Sequence, residues 1–113
     1  MLRDDAPLLD ILRAARLAVA FKSDLDKPTF LNDLKTPSAV LHQLLVLGEA
    51  VKRLSEGFWT SHPAIPWRMI AGMRDKLIHA YDAVDLDEVW RTVSIDIPHL
   101  IILLAPLEPR QEK

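Results

Sequence analysis

Apolar residues recur at helical spacing in four stretches of this chain. In the first, residues 7–22, Leu8, Leu9, Ile11, Leu12, Ala15 and Val19 keep a period of about 3.6 residues, with Arg13 and Arg16 among the polar positions. Residues 23–34 are polar and contain Pro28, which predicts a loop or short turn. A second stripe follows: Thr36 is placed to be an N-cap, Pro37 sits at the first helical position, and Val40, Leu41, Leu44, Leu45, Leu47, Val51 and Leu54 make more than one apolar face. That helix should be central, with Gly57 just past its end as a C-cap. Pro63 and Pro66 interrupt the next segment, and Pro66 opens a third helix from Trp67 to about Tyr81. The fourth carries a capping box of Asp85 and Glu88, a hydrophobic staple of Val84 and Val89, and a buried face of Leu86, Val89, Trp90, Val93, Ile97, Leu100, Ile101 and Leu104. Pro98 should kink it, because the ring removes a donor and crowds the carbonyl of Ser94. Four helices with short connections, and a longer one after the first, predict an all-α antiparallel bundle: one domain over residues 1–106, with 107–113 as a flexible tail.

Composition narrows this picture. A chain of 113 residues, half of them hydrophobic, can bury one real core. Cysteine is absent, which removes a disulfide framework, a thiol nucleophile and a thiolate metal site. The N-terminal residues Arg3, Asp4 and Asp5 do not read as a signal peptide, and the longest apolar run, residues 100–106, is too short to span a bilayer. The expectation is a cytoplasmic protein with no membrane contact. The net charge of −2 argues against a dedicated duplex binder, so contact with nucleic acid would need a local basic patch.

Candidate chemistry concentrates in the third helix, which holds Arg68, Arg74, Asp75, Lys76, His79 and Tyr81. On a straight helix of about 100° per residue, Arg74 and Tyr81 point within about 20° of one another, whereas Arg74 and His79 diverge by about 140°. Asp75 and His79 would be neighbours at i and i+4. Arg74 and His79 converge only if the arginine wraps around, if the helix ends near His79, or if two copies face each other; this favours a site at a dimer interface. The chemistry open to them is RNA cleavage without metal or cofactor. A histidine exchanges a proton with a ribose 2′-OH or with the leaving 5′-oxygen, while an arginine forks onto the phosphate. Asp75 would hold the imidazole in one tautomer, and Arg68 and Lys76 would form the basic rim. Spacing alone reads more readily as a salt bridge, a surface histidine and a packed tyrosine, and R-x4-H by itself is a weak motif.

Elsewhere, Glu49 is expected to pair with Arg53 or with Arg74. His42 and His99 lack a second ligand three or four residues on, which disfavours zinc. His62 reads as structural, with substrate contact as the alternative. Trp59, Trp67 and Trp90 read as packing residues, with base stacking as theirs.

The run Ile65-Pro66-Trp67, Gly72-Met73-Arg74-Asp75 and His79-Ala80-Tyr81, continued by Val84-Asp85 and Glu88-Val89-Trp90 and preceded by Leu47-Gly48-Glu49-Ala50, resembles the HepT-like branch of the HEPN proteins. The resemblance covers nearly the whole chain and is strongest over residues 61–90. It implies a four- to five-helix bundle that dimerises through its motif-bearing helices, so that R-x4-H segments line a shared cleft. It implies a metal-independent ribonuclease toxin, with Arg74 and His79 catalytic. It also implies an antitoxin partner, a minimal nucleotidyltransferase (MNT), that silences the toxin by attaching AMP to Tyr81. Phosphates added beside Arg74 would repel an RNA backbone. The position after the arginine is often Asn in the wider superfamily; Asp75 brings a negative charge that bears on phosphate binding and on the histidine's protonation. The resemblance equally accommodates a non-catalytic helical partner and AMPylation target of a nucleotidyltransferase, or a structural dimer whose motif only packs.

Overall fold

The first apolar stripe folds as α1 (Asp5–Lys22) and the second as α3 (Thr36–Lys52), in a computed structural model that describes residues 3–79 and 83–109, with the backbone alone for His79. The two helices pack along their length. Leu8, Ile11 and Leu12 of α1 and Leu44, Leu47 and Val51 of α3 are all 2% exposed or less. Burial of each larger aliphatic side chain stabilises the pair by roughly 1.5–3 kcal/mol. The C-terminal helix closes the bundle. It consists of α7 (Leu86–Arg91), one π-helical turn (Thr92–Asp96) and α8 (Ile97–Leu104), followed by a 3-10 turn at Ala105–Leu107. Val89, Val93, Ile97, Leu100 and Leu104 form its buried face. The expected distortion at Pro98 takes the form of that π turn, which contains Ser94, the residue whose carbonyl the ring crowds. Apart from one two-residue ladder, the described fold is all-α.

Several local expectations need correction. The stretch after α1 is not simply a loop: it contains α2 (Lys27–Asn32), started by the Asp26 carboxylate, which accepts from the Thr29 N–H at 3.0 Å. Pro28 lies in its first turn, where a missing donor has no cost, so this proline begins a helix and does not break one. Phe30 on α2 is fully buried and its ring lies 5.3 Å from that of Trp90. Thr36 is the first residue of α3 and not its cap; its hydroxyl donates to the Asp33 carboxylate, which also accepts from the Lys35 N–H.

The second helix stops at Lys52, and Gly57 lies inside a separate short helix, α4 (Glu56–Ser61). Ser55 caps α4 by accepting from the Phe58 N–H, and is itself held by Asp4, whose carboxylate accepts from the Ser55 N–H at 2.7 Å and hydroxyl at 2.8 Å. Glu49 pairs with Lys52 at 3.4 Å, and Arg53 with Asp10 of α1 at 2.7 Å, so neither expected partner of Glu49 is used.

Contacts continue past Pro106, and residues 110–113 of the expected tail lie outside the described residues. Leu107 packs against the core, and Arg16 donates twice to the Glu108 carboxylate, at 2.9 and 3.0 Å. The Thr29, Thr36 and Arg16 donors hold the Asp26, Asp33 and Glu108 carboxyls below their usual range. Each of these acids favours the fold above its unfolded pKa, and that contribution disappears as pH falls through the lower folded value.

The N-cap read at Asp85 is present: its side chain accepts from the Glu88 N–H at 3.1 Å. The N–H of Asp85 donates to the carbonyl of Leu77 at 2.9 Å, tying α7 to the end of the motif helix. Asp85→Ala is expected to cost about 0.5–2 kcal/mol of unfolding free energy, with Asp85→Asn costing much less, as read from urea denaturation.

Candidate functional site

The expected third helix is two short helices. α5 (Trp67–Ala71) and α6 (Met73–Leu77) meet at Gly72, where a Cβ would lie 3.3 Å from the Arg68 carbonyl. The end of α5 approaches α3 closely at Gly48, whose own Cβ position is 3.5 Å from the Ile70 carbonyl. Trp67 anchors α5. It is 4% exposed, its indole N–H donates to the His62 carbonyl at 3.0 Å, and its ring stacks with that of Trp59 at 6.4 Å. Phe58 covers the His62 ring at 4.6 Å. His62 and the tryptophans are therefore packing residues: the Trp59 N–H donates to Val51, and Trp90 lies between Phe30 and the Lys22 ammonium, 4.7 Å from its centroid.

α6 ends at Leu77, and the chain turns extended. Residues Ile78–His79 (β1) pair antiparallel with Ala83–Val84 (β2), Ile78 opposite Val84 and His79 opposite Ala83. The helix thus ends before the histidine, which is the second of the three conditions under which Arg74 and His79 could converge. The angular argument for a second chain therefore lapses, and so does the i, i+4 pairing of Asp75 with His79. Tyr81 lies outside the described residues, as does its expected alignment with Arg74.

On α6 the buried Met73 and Leu77 mark the inner side. Stepping about 100° per residue from them puts Arg74 and Lys76 on opposite flanks and Asp75 on the outer crest. All three are exposed, as is Arg68 on α5, and none of the four forms an ion pair among the described residues. Among the described residues Arg74 thus has no anionic partner, and it stands on the opposite flank of α6 from Lys76. Among the described residues, no group of three or more His, Asp or Glu side chains could hold a metal ion.

On the Lys76 flank lies a groove of about 330 Å³ between α5–α6 and the C-terminal helix, lined by Met69, Met73, Lys76, Arg91, Ile95 and His99 among others. Apolar spacing along the C-terminal helix does not mark this groove, because Ile95 lies outside the stripe that packs into the core. The signal was a C-terminal helix more apolar than one buried stripe requires.

The ribonuclease HepT-like family profile matches residues 11–107. The chain is 47% identical to "Probable ribonuclease HepT" of Thermococcus cleftensis over 93 residues, 82% of this chain and 84% of that protein. It is 40% identical to "Putative RNase MJ0127" of Methanocaldococcus jannaschii over 81% of this chain and 76% of that one. No solved structure matches it significantly. With a profile match across most of its length and relatives this similar along the same span, the chain belongs to the ribonuclease HepT-like family.

Proposed function

We propose that this chain is a metal-independent endoribonuclease of the HEPN type, the toxin of a pair whose antitoxin is a minimal nucleotidyltransferase, acting in the cytoplasm as a homodimer. The observation that carries the reading is Arg74, exposed and without an ion-pair partner among the described residues, on a helix that ends two residues before His79, in a chain whose relatives bear ribonuclease names. His79 takes the proton from a ribose 2′-OH as that oxygen attacks phosphorus, and the bond from phosphorus to the 5′-oxygen breaks as the leaving oxygen is protonated. A second histidine from the partner copy would serve as that acid. Arg74 stabilises the charge gathering on the phosphoryl oxygens, and Arg68 and Lys76 contact flanking phosphates. The direct test is cleavage of RNA by the purified chain in the presence of a chelator, with His79→Ala beside it.

Silencing is the second half of the proposal. Tyr81 is the acceptor of AMP, and each phosphate added there places negative charge near Arg74 and competes with the RNA backbone. Incubation with the neighbouring nucleotidyltransferase and ATP is expected to raise the intact mass by multiples of AMP, and Tyr81→Phe to abolish the gain. An undiminished gain in Tyr81→Phe would move the acceptor elsewhere. Asp75, exposed on the crest beside Arg74, favours one alternative, a non-catalytic binding partner modified at the same tyrosine. Under that alternative, RNA stays intact while the mass gain persists.

A further inference from the structure

With α6 ending at Leu77, Asp75 no longer stands one helical turn from His79, and the ladder brings a different acid to that position. The register pairs His79 with Ala83 and Ile78 with Val84. One step further along, the Asp85 N–H donates to the Leu77 carbonyl at 2.9 Å. Asp85 is itself extended, with φ −85° and ψ 96°, so the alternation of the strand runs on through it. Successive residues of a strand belong to opposite faces. Ile78 and Val84 share one face, and Val84 packs against the core. Residues 79, 83 and 85 share the other, and the exposure of Ala83 marks it as the solvent side. Asp85 is thus the diagonal neighbour of His79 across the ladder. Diagonal neighbours are about 7–8 Å apart, their Cβ atoms somewhat less, which is within reach of an aromatic ring.

We infer that Asp85 is the positioning residue of the active histidine: its carboxylate accepts the Nδ1–H of His79, which leaves Nε2 to exchange protons with the RNA. The inference rests on the ribonuclease reading and names a residue that acts through its histidine. What suits Asp85 to this role is that its own place is already fixed. Its backbone is tied to the end of α6, and its Oδ1 accepts the Glu88 N–H at 3.1 Å. A carboxylate has about four acceptor positions, and the cap takes one. A fixed acid beside one ring nitrogen selects the tautomer. Its charge also favours the imidazolium formed when the histidine takes up the 2′-OH proton. Asp85 itself stays ionised and makes or breaks no bond to the substrate. The other charged groups around the ladder are placed differently. On α6, Asp75 is on the outer crest, with Arg74 and Lys76 on the flanks. On α7, Asp87 pairs with Lys27 at 3.1 Å and Glu88 with Arg91 at 3.5 Å, although the Glu88 Oε2 is buried with no hydrogen-bond partner among the described residues. Asp82 lies outside the described residues. Glu88 and Asp82 are therefore the rivals that a test must separate from Asp85.

Titration of the His79 imidazole by NMR tests this without RNA. The full chain has four histidines, and the ring signal missing from His79→Ala identifies residue 79. Asp85→Asn and Asp85→Ser both keep a good N-cap, so the fold stays, and both remove the charge. Each is expected to move the His79 pKa down, whereas Asp82→Asn and Glu88→Gln should leave it close to that of the unaltered chain. In RNA cleavage the two Asp85 variants should lose roughly 10–100-fold in kcat with little change in KM, the scale seen when the outer partner of an ordered histidine is removed. The acid limb of the pH profile should move down with the titration. A His79 titration unmoved in both Asp85 variants, or one moved instead by Asp82→Asn or Glu88→Gln, would overturn the role of Asp85 and leave the ribonuclease reading standing. An unaltered chain that leaves RNA intact would overturn that reading and the catalytic role of Asp85 with it, while a moved titration would leave the pairing of the two residues standing.

Discussion

RNA cleavage by the His79→Ala protein is expected to fall by roughly 10²–10⁴-fold, the usual loss when a positioned general acid or base is removed. The loss should appear in kcat and leave the affinity for RNA nearly unchanged, because the proposed mechanism assigns the phosphate contacts to Arg74, Arg68 and Lys76 and not to the imidazole. Folding should be little affected. His79 lies in a two-residue ladder whose hydrogen bonds are made by the backbone, and alanine can make the same ones. Thermal unfolding within a few degrees of the unaltered chain, together with the lost activity, would place the effect in the chemistry. Cleavage at an undiminished rate would remove His79 from it, and with it the ribonuclease mechanism proposed here.

Leu77→Ala is expected to lower unfolding stability by about 2–5 kcal/mol, the sum of lost burial and the cavity left behind. For a domain of this size that is a fall in Tm of the order of 10–20 °C. Leu77 is fully buried and is the last residue of α6, and its carbonyl accepts the Asp85 N–H at 2.9 Å. It therefore fastens the motif helix to the core and its backbone to α7 at the point where the chain turns towards His79. Leu77→Met, which nearly conserves volume, should cost less than about 1.5 kcal/mol. Equal midpoints for the alanine and methionine proteins in calorimetry would show that the site does not depend on this anchor.

The contrast between Asp85 and Leu77 shows where the sequence could be read. The cap at Asp85 depends on residues three apart and a backbone N–H that every helix start leaves unpaired, so it was visible in the order of residues alone. The end of α6 was not. From Leu77 to Tyr81 there is no glycine or proline, and the apolar spacing continues, so nothing local separates a further helical turn from a ladder. The two schemes satisfy backbone groups about equally well, and intrinsic preferences between them amount to tenths of a kcal/mol per residue. The choice is made by Ile78 and His79 pairing with Ala83 and Val84, and by the Asp85 N–H finding the Leu77 carbonyl. That choice changes the site, because it releases Arg74 and His79 from the fixed angle of a helix.

By itself the sequence determined the helical class, the two packed stripes of α1 and α3, the cap at Asp85, the disturbance at Pro98 and the family. Each follows from short-range spacing or from matched residues. Tertiary structure decided the rest. It decided that Pro28 starts a helix and does not break one. It decided that a π turn takes up the drift of about 40° that accrues at each four-residue step through Val89, Val93 and Ile97, keeping all three on the core. It also decided which apolar residues of the C-terminal helix face the core and which, Ile95 and Ile102, are left exposed. Periodicity counts apolar positions along one element, but the number of faces that element buries is set by what packs around it.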